Sequence, residues 1–153
     1  NFEGQEVFKR AVRAMGHASA DVLDQAGISL EDVKLVVPHQ ANRRILDALA
    51  KRIGINEDKV FVNVHKYGNT SAGTIPVALC EAVEEHKIEP GDYILMASFG
   101  AGLTYGASLI KWGDRVAPLL SSDAELPPCD KTGLEIIASH VERYRKRTLE
   151  TAS

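Results

Sequence analysis

Short apolar runs alternate with long amphipathic stretches along this chain, and that alternation constrains the fold more than any other feature. Residues 34–38 form a brief, continuous apolar run closed by Pro38, as expected of a strand buried on both faces in a parallel sheet. Before it, Val7, Phe8, Ala11, Val12, Met15, Ala18, Val22 and Ala26 recur at three- and four-residue steps, and Gly27 offers a stop. One long helix is predicted there, with an alanine-rich face suited to close packing. After it, residues 41–53 place Ile45, Leu46, Leu49 and Ile53 on one side ahead of Gly54, a second helix. The β-branched residues 60–64 read as a strand, 71–86 as a third helix with Pro76 tolerated near its start, and 93–98 and 103–112 as two strands joined by a tight loop. So short a loop makes the last pair antiparallel, so the expected fold is layered α/β with a mixed sheet packed between helices. From residue 113 to 130 the composition turns to proline and serine without periodicity. Leu134, Ile137, Val141, Tyr144 and Thr148 then mark a C-terminal helical extension. Two regions are expected, 1–112 and 113–153.

Composition excludes several classes of function. A chain of 153 residues with 44% hydrophobic content hides about 70% of its unfolded surface, enough for a core without disulfides or metals. Its apolar runs fall far short of the ~18 to 20 residues a membrane span needs. Eighteen basic and twenty-one acidic residues give a net charge of −3, too balanced for a dedicated nucleic-acid binder, so an anionic partner has to be met by a local patch. Cys80 and Cys129 lack metal or redox spacing and no signal-peptide pattern is present, which points to a reducing cytoplasm. Cys80 reads as a packed core thiol and Cys129 as an incidental surface thiol in the linker. His17, His65, His86 and His140 show no metal-ligand spacing, and no metal or resident cofactor is expected. The chain opens at Asn1 on charged, helix-forming sequence, as a piece of a longer polypeptide would.

Three segments could carry chemistry, each at the end of an expected strand, where open α/β sheets gather functional groups. In Pro38-His39-Gln40-Ala41-Asn42 the histidine is either a cleft residue or a ring bonded to a nearby carbonyl. In Gly68-Asn69-Thr70-Ser71-Ala72 the asparagine is either functional or a turn and capping residue. Phe99-Gly100-Ala101-Gly102 has the glycines a hairpin needs and lacks the Lys-Ser/Thr ending and following helix of a phosphate loop. The second helix is locally basic: Arg43, Arg44, Lys51 and Arg52 stand against Asp47, and Arg44 and Lys51 share a face.

In order and spacing, these three motifs resemble the C-terminal half of β-ketoacyl-acyl-carrier-protein synthase III, a thiolase-like condensing enzyme, over roughly residues 2–112. The resemblance implies a thiolase-like half and a decarboxylative Claisen condensation of an acyl group from acyl-CoA with malonyl-acyl carrier protein, in fatty acid biosynthesis. His39 and Asn69 match the side chains that donate hydrogen bonds to the malonyl thioester oxygen. Donors fixed in advance favour the transition state, in which that oxygen gains charge, by about 3 kcal/mol each. Ala101 matches the backbone N–H of a second oxyanion hole. Gly4, Phe8, Ala41, Asn42 and Ile45 match positions along the pantetheine passage, and Lys9, Arg44 and Lys51 match residues that dock the acidic carrier protein. The nucleophilic cysteine belongs to an N-terminal half that the resemblance places outside this chain, and the intact enzyme is implied to be a homodimer. The alternatives are a related condensing enzyme for long-chain or specialised-metabolite acyl groups, and a non-catalytic module that binds carrier protein or CoA.

Overall fold

Helix α1 (Gly4–Ala26) buries Ala11, Met15, Ser19 and Leu23, one residue per turn on one stripe, and the hidden Ser19 hydroxyl donates to the Met15 carbonyl at 2.8 Å. Gly27, at φ 64°, ends it in the left-handed conformation glycine adopts without a Cβ clash, and Ile28 N–H closes back onto Leu23 O. The computed structural model describes residues 4–102, 104–114, 116–117 and 130–150. Cys129 lies outside them, as does most of the expected linker.

Strand β1 (Val33–Pro38) has Val33, Leu35, Val36 and Val37 buried, so it is covered on both faces as its unbroken apolar run implies. Helix α2 (Arg43–Ile53) starts two residues later than expected because Asn42 caps it: its Oδ1 accepts from Ile45 N–H at 3.0 Å. Helix α3 (Val64–Tyr67) is a single turn, and α4 (Thr74–Glu84) follows a short 3₁₀ turn at Ser71–Gly73. Strands β2 (Tyr93–Gly100) and β3 (Thr104–Lys111) complete a three-stranded sheet in the order β1-β2-β3. β1 pairs parallel with β2, Val36 opposite Leu95, and β2 pairs antiparallel with β3, Ala97 opposite Ala107. The sheet is mixed, as expected.

Side-chain alternation sends the two faces of the sheet into different cores. Leu35, Val37 and Ile94 pack with Ala78 and Ala82 of α4. Val36 and Leu95 pack with Leu23 of α1 and Ala50 of α2, and Ala97 packs with Met15 and Leu49.

Two expectations are corrected. Residues 60–64 form no strand: Val60 makes one isolated parallel bridge to Val36, and the chain then turns into α3. In the register of that bridge the next donor to Phe61 O would be Pro38, which has no N–H, and the Gln40 side chain instead meets Phe61 O and the N–H groups of Asn63 and Val64. Cys80 is exposed rather than packed. Buried Ala78 and Ala82 define the inner stripe of α4, and a residue two positions from either lies about 200° round the helix.

The chain divides into two compact units, residues 1–119 and 120–153. The second holds α5 (Gly133–Glu150), which begins with a reciprocal capping box. Glu135 N–H donates to Thr132 Oγ1 at 3.3 Å, and the Thr132 N–H at 2.7 Å and hydroxyl at 2.8 Å both donate to Glu135 Oε2, which holds that carboxyl below its ordinary pKa. Leu134, Ile137 and Val141 are exposed on it. Among the described residues, no helix is long and apolar enough to cross a membrane, and no three His, Cys, Asp or Glu side chains are grouped to hold a metal ion.

Candidate active site

The end of β1 delivers His39 into a cavity of about 480 Å³ lined also by Ser71, Thr74, Ser98, Phe99, Gly100 and Tyr105. The backbone there is held by His39 N–H donating to Ala97 O at 2.8 Å and by Ala41 N–H donating to His39 O at 2.8 Å. The His39 ring is half-buried, and burial lowers its pKa below the ordinary histidine value, which favours the neutral ring. Its Nδ1 lies 2.6 Å from the hydroxyl of Thr74, itself buried at the start of α4.

Gln40 is 1% exposed, and its amide is fully used. Nε2 donates to Pro38 O at 2.9 Å and Phe61 O at 3.0 Å, while Oε1 accepts from Asn63 N–H at 2.9 Å and Val64 N–H at 3.2 Å. One side chain thus fastens the histidine loop to the segment leading to Asn69. That segment has a second anchor. The buried Asn63 amide donates to Glu81 Oε2 at 2.8 Å, and Lys66 donates to the other oxygen of the same carboxylate. The Lys66 hydrogen bond, then the Asn63 one, lowers the Glu81 pKa, and Glu81 in turn raises that of Lys66.

Asn69 is exposed and is not among the cavity-lining residues; it follows Gly68, whose φ of 69° turns the chain out of α3. Its Oδ1 accepts from Ser71 N–H at 2.9 Å, which fixes the amide orientation and leaves Nδ2 to donate. Ser71 adopts φ 56°, an uncommon conformation for a residue with a Cβ, so strain is held in the loop carrying Asn69. Short contacts lead from one candidate toward the other: Ser71 N–H donates to Asn69 Oδ1, and the Thr74 hydroxyl lies 3.0 Å from Ser71 O and 2.6 Å from His39 Nδ1, with one proton for the two. Ala101 sits in the exposed β2–β3 turn, one residue past the cavity-lining Gly100.

Six of the remaining candidates, Gly4, Phe8, Lys9, Asn42, Arg44 and Ile45, line a groove of about 860 Å³ between the starts of α1 and α2. The Arg44 guanidinium lies 5.8 Å from the Phe8 ring centroid. Ala41 does not line the groove; it packs against the core shared by α1 and α2. Lys51 is exposed in the last turn of α2, also outside the groove. Arg43 is paired with Asp47 at 2.6 Å, whereas Arg44 and Lys51 have no carboxylate partner among the described residues.

Chemically, the cavity offers the His39 ring as a hydrogen-bonding group, while Asn69 is not among its lining residues. Among the described residues the only hydroxyl bonded to His39 is that of Thr74. Cys80 lies farther along α4 and is not among the cavity-lining residues, and the neighbouring Glu84 carboxylate, with some burial, raises its pKa and disfavours the thiolate. Thr74, Gln40 and Ser71 carry the geometry of the site, yet sequence reading passed over their roles. Gln40 and Ser71 stood within the motifs, whereas Thr74 had only its place at the start of a helix as a signal.

The family profile described as "3-Oxoacyl-[acyl-carrier-protein (ACP)] synthase III C terminal" matches residues 23–112. A β-ketoacyl-[acyl-carrier-protein] synthase III 2 of Vibrio cholerae is 53% identical over 150 residues, 98% of this chain and 41% of that protein. Its counterpart in Vibrio vulnificus is 57% identical over 147 residues, 96% of this chain and again 41% of the relative. The crystal structure of 3-oxoacyl-[acyl-carrier-protein] synthase III from Aquifex aeolicus superimposes with a TM-score of 0.71 at 53% identity, over 73% of this chain and 36% of that one. The chain therefore spans about two fifths of the length of these curated relatives. The Vibrio proteins match almost to its end, whereas the Aquifex structure covers less of it.

Proposed function

The chain belongs to the family of 3-oxoacyl-[acyl-carrier-protein] synthase III C-terminal domains, and from that premise we propose that it supplies the enolate-stabilising half of a decarboxylative condensing site. In this reading residues 1–112 are the condensing part and 113–153 an appended extension. The acyl group arrives from acyl-CoA on a cysteine contributed from outside this chain. The malonyl group arrives on acyl carrier protein. Loss of carbon dioxide leaves the electron pair of the broken C–C bond in a thioester enolate. Its carbon attacks the acyl thioester, and the cysteine thiolate leaves. His39 and Asn69 Nδ2 donate to the enolate oxygen, and the Ala101 N–H serves the tetrahedral oxygen of the acyl thioester. The groove at Phe8, Asn42 and Ile45 takes the pantetheine arm, with Gly4 and Ala41 beside it, and Lys9, Arg44 and Lys51 meet the acidic carrier protein. No metal or resident cofactor enters the reaction. The enzyme works in the cytoplasm as a homodimer.

The observation that carries this reading is the cavity at the end of β1 that receives the half-buried His39, with Ser71, whose N–H donates to Asn69 Oδ1, among its lining residues. Neutral donors suit an oxygen that becomes charged only during reaction, because they favour it without binding the malonyl carboxylate as a cation would. The test is malonyl-acyl carrier protein decarboxylation and condensation by the complete enzyme. His39→Ala and Asn69→Ala should each lower kcat by about 10²- to 10³-fold. The Asn69→Ala pH profile should keep its shape, since no titrating group is lost. Wild-type rates in both variants would falsify the assignment.

A further inference from the structure

Thr74 has one hydroxyl proton and two neighbours that could receive it. His39 Nδ1 lies at 2.6 Å and Ser71 O at 3.0 Å. Thr74 is 3% exposed, so water does not decide between them. The contact to Nδ1 is the shorter of the two and must hold one proton, from the hydroxyl or from the ring. Ser71 O also loses little if the proton turns away, because it already accepts the backbone N–H of Thr74. Nδ1 has no other partner among the described residues.

We propose that Thr74 sets the tautomer of His39: its hydroxyl donates to Nδ1, and the neutral ring is left with its N–H on Nε2, the nitrogen available to a ligand in the cavity. The proposal deepens the reading of His39 as a donor to the enolate oxygen and rests on that reading only for its catalytic consequence. Burial lowers the pKa of His39, and this makes the tautomer matter: a cationic ring donates from both nitrogens, a neutral one from a single nitrogen. Thr74 is a positioning residue that acts through His39. Without its hydroxyl, the neutral ring partitions between a form that donates to the enolate and a form that only accepts.

The tautomer is read without substrate. In the complete enzyme labelled with ¹⁵N-histidine, His39 is assigned by the signals lost in His39→Gln. Near neutral pH its pyridine-like nitrogen should be Nδ1. Thr74→Val, of the same shape without the hydroxyl, should shift the population toward the Nδ1–H form. It should also lower kcat for malonyl decarboxylation about tenfold, with KM changed less than about twofold. Thr74→Ser should restore both readouts. A wild-type ring protonated at Nδ1, or a Thr74→Val spectrum identical to wild type, overturns the proposal. If Thr74→Val does not fold, the wild-type and Thr74→Ser spectra still decide, since both must show the Nε2–H form. A correct tautomer pattern in a protein without condensing activity would sink the proposed function and leave this inference standing.

Discussion

Around His39 the side chains that brace the loops are buried and bonded to one another or to backbone, although Asn69 is exposed, whereas in the groove between α1 and α2 the polar side chains are exposed. Gln40, Asn63 and Thr74 are each no more than 3% exposed, and each has specified partners. Lys9, Asn42 and Arg44 are exposed, and the groove's more ordered contact is an aromatic ring under a guanidinium. The difference teaches what each region can be asked to do. Donors that must meet an oxygen within a few tenths of an ångström need braced geometry. A charged surface that gathers an acidic partner works at a distance, tolerates side-chain motion, and acts mainly on association rate.

Substitutions can break that comparison. The largest effect on stability should come from Gln40→Leu, which strands Phe61 O and the Asn63 and Val64 N–H groups. Urea unfolding should show a loss of about 3 kcal/mol. A loss below about 1 kcal/mol would mean that the two loops are not braced through this amide. A smaller effect is expected at Glu81, whose folded pKa is depressed by Lys66 and Asn63. A depressed carboxylate contributes stability above its unfolded pKa and loses it as pH falls through the folded value. The wild-type urea midpoint should therefore drop on acidification below the ordinary carboxylate range, and the Glu81→Gln midpoint should drop less. Parallel curves would remove Glu81 from the brace. The smallest effect belongs to the groove. Arg44→Ala should lower kcat/KM toward carrier-protein substrate only severalfold, and salt of about 0.5 M should shrink the gap to wild type. A kcat loss as large as that of His39→Ala would erase the distinction between the two regions.

Much of this was legible in the residues, for reasons that differ from one segment to another. The helix at 4–26 and the strand at 33–38 follow from periodicity, because burial of one stripe or of two faces leaves a repeat in the sequence. His39 and Asn69 stood out as motif residues at strand ends, and the groove residues through resemblance. Residues 60–64 misled because β-branched composition reports a preference for extended backbone, not a partner; Pro38 has no N–H to continue the ladder, and the Gln40 amide meets the groups left over. Cys80 misled because a thiol on an apolar helix looks like core until the inner stripe is fixed by Ala78 and Ala82. Thr74 gave no warning, since a hydroxyl at a helix start has an ordinary local use.

The sequence alone determined the layered α/β class, the mixed sheet and the family, because each depends on near-neighbour patterns or on motifs written contiguously in the chain. Tertiary structure alone decided which hydrogen-bond partner each polar side chain takes. Thr74 reaches His39 across thirty-five positions, and Gln40 reaches residues 61, 63 and 64. Such pairings are set by where the ends of β1 and α4 meet in space. A hydrogen bond is made or lost within a few tenths of an ångström, a precision that no local periodicity encodes.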